Sequence, residues 1–395
     1  MGKSKEYMTK TLIIDQKNPI ANDDWYMALD IGFSAVKGFS NNKIYCFPAY
    51  ARRIDDPQSL ITSLEPYDIL YKDNSTGEVW AVGDFAQKMI TSNETSDSEE
   101  VLYNRNRYDD PIFRVLISTG MAIGMQHNRF GGYAEGQGIK IQTGLPPKYI
   151  ASDGQRIIDA FTGVYDFSLK IGTGAWTLYR FEIKTENMQK IMAQPMGTLF
   201  SISTSSDGTL LPEAKNYFGK NVLIFDGGFG TLDTYNIRNK SVQPDSQTFD
   251  NLGMKRVFQE TVKEIGKIYH TEIKVAELQN YLENGEVKIF EKNKETKKIQ
   301  SKYKPFEEML IQSSMKVCDI ALDKCETVYN NLFDHDYLVV TGGTGEAWLP
   351  YIQDRYAEMQ TLKIINGNRN NTLPFTFSNV RGYYLYMINA EKRKK

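Results

Sequence analysis

Two stretches of the chain share one arrangement of apolar and polar positions. In the first, the apolar run 27–29 stops at Asp30, a glycine follows at Gly32, and a second apolar segment covers 35–39. In the second, the run 222–225 stops at Asp226, Gly227 and Gly228 follow, and an apolar, β-branched segment covers 231–237. Short apolar runs bounded by turn residues predict strands, and two runs joined by a glycine turn predict a hairpin. Each hairpin brings a carboxylate to a strand end beside a turn whose backbone N–H groups are uncovered. Carboxylate and amides at one strand end suit a phosphate tail held through Mg²⁺ and backbone donors. Two such hairpins predict two facing domains.

The same pattern fills in the rest of the chain. A polar segment, 1–24, precedes the first strand, 25–30. Residues 46–103 read as a small inserted subdomain with short strands at 68–71 and 79–82 and a polar stretch at 91–100. Asp109, Asp110 and Pro111 supply a cap and a first-turn proline for a helix over 112–125. A strand over 138–143 ends at Gly144-Leu145-Pro146-Pro147, and Ser152 with Gln155 predicts a capping box opening a helix that reaches Phe161. Strands at 166–171 and 177–183 and a short helix near 197–205 complete a half that reads as one mixed sheet with helices. In the second half, helices are predicted over 252–269, 275–282 and 306–333, the last being the longest. Residues 287–290 and 302–303 flank a charged run, 291–298, read as a solvated hairpin tip or loop. A strand over 337–340 runs into Thr341-Gly342-Gly343-Thr344-Gly345, and an aromatic-rich helix over 378–389 comes last.

Composition then narrows the function classes. With 395 residues, 41% of them hydrophobic, the chain can build two domains with substantial cores. A formal net charge of −2 argues against nucleic-acid binding by the whole surface. The basic run 392–395 reads as a solvated tail. Cys46, Cys318 and Cys325, with His127, His270 and His335, are too scattered for a zinc site or a histidine-based triad. This cysteine usage fits a reducing, cytoplasmic compartment. No apolar run approaches the ~20 residues of a membrane span, and segment 1–24 lacks the apolar core of a secretion signal.

Singly, each glycine turn is a weak signal. Jointly they are specific: Asp30 and Gly32 are followed by Ser34 and by Lys37, Asp226 and Gly228 by Thr231 and Asp233, and later come Gly342, Gly343 and Thr344. That order fits a nucleotide lying in a cleft between two domains. The first hairpin offers amides, a hydroxyl and an ammonium to the phosphates, and the second repeats this from the opposite wall. Glycines at 342 and 343 leave room for a flat base and its ribose. Neither the Gly-x-Gly-x-x-Gly of a Rossmann fold nor the full Gly-x-x-x-x-Gly-Lys-Ser/Thr of a P-loop is present.

These residues resemble the nucleotide motifs of the actin, Hsp70 and sugar-kinase superfamily, and within it those of the ParM-type bacterial actins that segregate plasmids. Asp30, Gly32, Ser34 and Lys37 match the first phosphate loop, while Asp226, Gly227, Gly228, Thr231 and Asp233 match the second. Gly342, Gly343 and Thr344 match the adenosine motif, and Phe377, Asn379, Gly382 and Tyr383 resemble the closing helix. Phe33 stands where eukaryotic actins place serine, which favours the bacterial branch.

The resemblance implies an α/β, actin-like fold: two domains, each a mixed β-sheet with flanking helices, and a nucleotide cleft between them. Domain I would be 25–220, with the insertion at about 46–103 and completion by a C-terminal helix at about 377–395; domain II would be 221–376, and 1–24 a polar extension. It further implies ATP, or GTP, with Mg²⁺ in the cleft, Asp30 and Asp226 holding the metal through water, and Lys37 neutralising phosphates. In such proteins the attacking water is positioned from the start of a helix after a proline-containing strand end. Gln155 and Asp226 are on that reading the catalytic residues, with the capping role as the alternative for Gln155. A glutamine orients water rather than deprotonating it, which gives slow turnover. The implied function is a cytoplasmic ATPase that assembles head to tail into filaments and moves plasmid DNA. A small ParR-like adaptor on centromere-like DNA would make the connection, with no direct specific DNA binding and no membrane partner. Two other readings share the fold, a sugar- or acetate-type kinase and a non-filamentous scaffold of the Hsp70 or division type.

Overall fold

A computed structural model describes residues 4–56, 63–90, 107–292 and 297–394. The polar stretch 91–100 and the middle of the charged run, 293–296, lie outside the described residues. The chain opens with β1 (Leu12–Asp15), β2 (Trp25–Ile31), β3 (Ala35–Ser40) and β4 (Lys43–Pro48). Next come β5 (Ala51–Ile54), β6 (Ile69–Asp73), β7 (Val79–Val82), α1 (Asp84–Lys88) and α2 (Pro111–Met125). The Asp110 carboxylate caps α2 by accepting from Ile112 N–H at 2.8 Å. β8 (Ile139–Leu145), α3 (Ile150–Phe161), β9 (Gly163–Ile171), β10 (Thr177–Ile183), β11 (Met192–Ala193), α4 (Gln194–Ser203) and α5 (Ala214–Gly219) complete the first half.

The first sheet has the order β1-β4-β3-β2-β8-β11, antiparallel from β1 to β2 and parallel from β2 to β11. Segment 1–24, read as a polar extension, therefore contributes an edge strand. A separate five-stranded sheet, β10-β9-β6-β7-β5, joins the inserted strands to β9 and β10. Strands 166–171 and 177–183 thus leave the main sheet that the sequence assigned them to. Their inward aromatic residues decide this: Phe167 stacks on Tyr71 at 5.1 Å and on Tyr179 at 5.3 Å, a ladder of cross-strand pairs.

The second half runs β12 (Val222–Gly227), β13 (Thr231–Arg238), β14 (Ser241–Val242), β15 (Gln247–Asp250), α6 (Met254–Tyr269) and α7 (Val275–Tyr281). The hairpin β16 (Glu286–Lys292) and β17 (Ile299–Pro305) follows, then α8 (Glu307–Val328), β18 (Tyr337–Thr341), α9 (Gly342–Arg355), β19 (Lys363–Asn366) and α10 (Ser378–Lys392). Helix α8 stops earlier than the apolar spacing suggests because Asn330 and Asn331 adopt left-handed backbone angles. Helix α9 was hidden in the sequence by its opening glycines and by Pro350. The sheet order is β14-β13-β12-β18-β19, with β15 also on β13. Its centre repeats the plan of the first sheet, an antiparallel hairpin with a parallel strand beside its first member.

Strand alternation decides which face each residue serves. On β2, Met27, Leu29 and Ile31 pack in the core that α2 covers, whereas Tyr26 and Ala28 pack in the core that α10 covers. On β12, Leu223 and Phe225 join the core built with α6, α8 and α9, whereas Val222 and Ile224 meet α4. Asp30 and Asp226 continue the second set on each strand, so both carboxylates emerge between the sheets. Helices α4 and α10 occupy that space and cross where Gly197 meets Gly382. Among the described residues, no helix is long and apolar enough to cross a membrane.

Candidate functional site

The two hairpins bring their motifs together through register. β2 and β3 pair Asp30 with Lys37, and β12 and β13 pair Asp226 with Asp233, so the seven-residue spacing is the distance around one hairpin. Lys37 Nζ lies 2.9 Å from Asp30 Oδ2. Burial alone would lower the Lys37 pKa, but the charge and hydrogen bond of Asp30, helped by Asp226, leave it raised. Burial drives the pKa of Asp226 up to about 6, with the Asp30 charge adding and Asn379 and Lys37 opposing. Burial also lifts Asp233 to about 7, with the Asp226 charge adding and hydrogen bonds from Thr248 and Thr231 opposing.

A cavity of about 870 Å³ lies over these strand ends. Asp30, Gly32, Ser34, Lys37, Asp226, Gly228, Thr231, Gly342, Gly343 and Thr344 all line it. Gly227 does not. Its missing side chain serves packing, since a Cβ there would stand 2.6 Å from Gly345 N. Gly342, at φ +77°, would place a Cβ 2.6 Å from Asp226 Oδ1, whereas a Cβ on Gly343 would meet nothing within 4 Å. Gly342 therefore lets the α9 start reach the end of β12, and Gly343 leaves open volume. Thr344 Oγ1 is already committed, donating to Gly228 O at 2.6 Å.

The turn amides differ from the sequence reading. Gly32 N–H donates to Ala35 O at 3.0 Å and Gly228 N–H to Thr231 O at 2.9 Å, the same closing bond in both hairpins. The N–H groups of Ser34 and Gly230 take no such bond among the described residues. Phe33, from the first turn, lies against Gly230 of the second: a Cβ on Gly230 would stand 2.9 Å from its ring. The buried Arg107 guanidinium covers that ring at 4.5 Å and lines the cavity.

Residues 28–197 match the family model of the actin-like proteins' N-terminal domain. The 15-stranded ParM filament from Clostridium botulinum is similar over 92% of this chain and 99% of its own, at 18% identity and TM-score 0.68. An archaeal actin homologue is similar over 93% of this chain and 99% of its own, at 15% identity and TM-score 0.63. Bacillus thuringiensis ParM with AMPPNP is similar over 94% of this chain and 100% of its own, at 13% identity and TM-score 0.56. Among curated proteins, none matches. The chain has the ParM-type actin-like fold.

Within this actin-like cleft one assignment from the sequence changes. Gln155 is exposed, and its amide donates to Asp159 Oδ1 at 2.8 Å on the outer face of α3, away from the cavity. The capping alternative fails as well, because α3 begins at Ile150 and places Ser152 inside it. Gln194 occupies the position that Gln155 was meant to hold. It is the first residue of α4, follows β11 and precedes Pro195, lines the cavity, and donates from Nε2 to Asp30 Oδ1 at 3.0 Å. The Ala193-Gln194-Pro195 signal was in the sequence, but β11 is two residues long and raises no strand pattern of its own. On the opposite side Asn379 Nδ2 donates to Asp226 Oδ2 at 2.7 Å, while its Oδ1 accepts from Thr198 Oγ1 at 2.8 Å. Asp30 and Asp226 are thus each aimed by an amide side chain from the helix pair between the sheets.

The donor set fits Mg²⁺ held indirectly. Three buried carboxylates, Asp30, Asp226 and Asp233, face one ammonium, an excess of negative charge that a divalent cation balances. Among the described residues, no group of three or more His, Cys, Asp or Glu side chains is placed to hold a metal directly. Mg²⁺ keeps several waters and takes phosphate oxygens, which suits two oriented carboxylates better than a protein cage.

Proposed function

We propose that the chain binds Mg²⁺ with ATP in this cleft, hydrolyses it slowly and assembles head to tail into filaments. The observation that carries the reading is the convergence of Asp30, Lys37, Asp226 and Gln194 on one cavity that Gly343 also lines, leaving open volume beside them. Asp30 and Asp226 would hold the hydrated metal, which neutralises phosphate charge and draws it from the leaving oxygen. Lys37 supplies a fixed positive charge beside Asp30, and the amides of Ser34 and Gly230 supply donors for phosphate oxygens. Gln194, held by Asp30, orients a water for attack without acting as a base. Gly342, Gly343 and Thr344 bring the α9 start to the nucleoside, with ATP ahead of GTP. As domains we propose 12–220 completed by 377–395, with the edge strand β1 included in the first, and 221–376.

At the cellular level the same reading makes the filament a cytoplasmic carrier of plasmid DNA. A small DNA-binding adaptor of the ParR kind, seated on centromere-like repeats, would couple filament end to cargo, because a near-neutral chain has no charge excess with which to find DNA itself. The ParM neighbours support this reading at the level of fold. A kinase or a non-filamentous scaffold remains the competing class. Negative-stain microscopy of the purified protein with Mg²⁺ and ATP, alongside phosphate release, tests the proposal: filaments that form with ATP and dissolve after hydrolysis are expected, and monomers that phosphorylate a small acceptor would overturn it.

Gln194→Ala is expected to slow phosphate release on the order of 10- to 100-fold while filaments still form and persist longer. Gln155→Ala is expected to match the wild type in both measurements. The reverse pattern would return the water-orienting role to α3.

A further inference from the structure

The segment before β1 does more than extend the first sheet. Ser4 is buried to 2% exposure in a socket on the second half of the molecule, where its Oγ donates to Leu282 O at 2.7 Å and its N–H to Glu307 Oε1 at 3.1 Å. Gly285, at φ +68°, makes the socket possible, since a Cβ there would stand 2.9 Å from Ser4 Oγ. Tyr7 and Met8 continue along the same half, packed against its core, and the single helical turn Ser4–Tyr7 lies on α9. The segment then crosses to the first half. Thr11 N–H donates to Asp84 Oδ2 at 2.9 Å, Cys46 Sγ donates to Lys10 O at 3.4 Å, and Leu12 starts the pairing of β1 with β4.

Between these two anchors the segment forms part of the cavity wall. Residues 6–12 line the cavity together with Glu346, Pro350 and Tyr351 of α9, the helix whose first residues face the nucleoside end. The halves also touch directly beside it, where Gln279 Nε2 donates to Tyr50 Oη at 3.0 Å.

We propose that residues 4–11 are a strap across the nucleoside end of the cleft, which walls the bound nucleotide and must release at one anchor before the nucleotide can leave. This rests on the nucleotide reading above. Opening the cleft separates the Ser4 socket from Asp84, so the strap's buried hydrogen bonds are lost in the open state and retained in the closed one. A ligand that holds the cleft closed therefore dissociates more slowly when the strap is intact.

The test is a stopped-flow chase of a fluorescent, non-hydrolysable ATP analogue with Mg²⁺ from three proteins. These are the full chain, a chain starting with Met directly before Thr11, and the double variant Ser4→Ala with Tyr7→Ala. Both altered proteins are expected to release the analogue roughly tenfold faster or more, the factor for losing one or two such hydrogen bonds. Should the shortened chain fail to fold, as read by its melting curve, the double variant reads the same quantity. Release rates equal to that of the full chain would overturn the strap while leaving nucleotide binding standing. A full chain that binds no nucleotide would overturn both.

Discussion

Asp226→Asn is expected to lower ATP hydrolysis on the order of 100-fold or more and to leave the protein as stable as the wild type or more so. The loss follows from geometry. Asp226 ends β12 between the sheets, buried, and aimed by Asn379 toward the cavity that Asp30 and Lys37 line from the other wall. An amide of the same shape keeps the Asn379 bond, since its carbonyl oxygen can still accept, but it removes one of the two charges proposed to face the metal. The stability expectation follows from the raised pKa. The group's ordinary value is 3.8, and burial lifts it to about 6 in the folded chain. Above about pH 6 the folded protein therefore carries an ionised carboxylate in a place that disfavours ionisation, which weakens folding there. Asparagine relieves that cost. Phosphate release and thermal melting at pH 7.5, measured on one preparation, check both halves; hydrolysis at the wild-type rate would show that the metal lies elsewhere.

Gly382→Ala carries the largest expected structural effect. Where α10 crosses α4, an ideal Cβ on residue 382 would fall inside the Gly197 carbonyl group, which is backbone and cannot rotate away. The helices must part, and each is packed against a sheet: α10 on β2, β3 and β8, α4 on β12 and β13. Overpacking of this kind costs about 3 kcal/mol or more, so the denaturation midpoint is expected to fall sharply, or the chain to fail to accumulate in folded form. Gly343→Ala is the control. Its Cβ meets nothing within 4 Å, so melting is expected to stay put while ATP affinity drops. An unchanged midpoint for Gly382→Ala would mean that the crossing is looser than drawn.

The hairpins were legible from the sequence because everything that makes them is contiguous: an apolar run, an aspartate, a glycine turn, and the return strand that brings residue 37 opposite 30 and residue 233 opposite 226. The fold resemblance followed from those few positions. Gln194 was not legible for the opposite reason. Two helices in the first half follow a strand beside a proline, α3 after Pro146 and Pro147 and α4 around Pro195, and local signals favour α3 with its Ser-x-x-Gln pattern. Which helix start abuts Asp30 is set by the sheet order, in which β11 lies two places from β2, and that order is a long-range fact. The strap was missed for a similar reason. Its partners Leu282, Glu307 and Asp84 lie far along the chain, and a serine and a tyrosine in a polar stretch announce neither a socket nor a cavity wall.

The repeated hairpins have a consequence for direction. In backbone terms the two central motifs are near copies, each an antiparallel hairpin with a parallel strand beside its first member, and a scaffold built twice on one plan presents the same turn from either side. Symmetry of this kind leaves an elongated ligand two equivalent ways to lie. The side chains opposite the two aspartates remove the degeneracy: lysine at 37 compensates Asp30, while a second acid at 233 leaves Asp226 without a countercharge on its own hairpin. One wall of the cleft is therefore neutralised and the other electron-rich. For the proposed nucleotide, only one orientation of the phosphate chain would set its anionic oxygens by the lysine and its metal between Asp30 and Asp226, so a chain built twice over would read that ligand in a single sense.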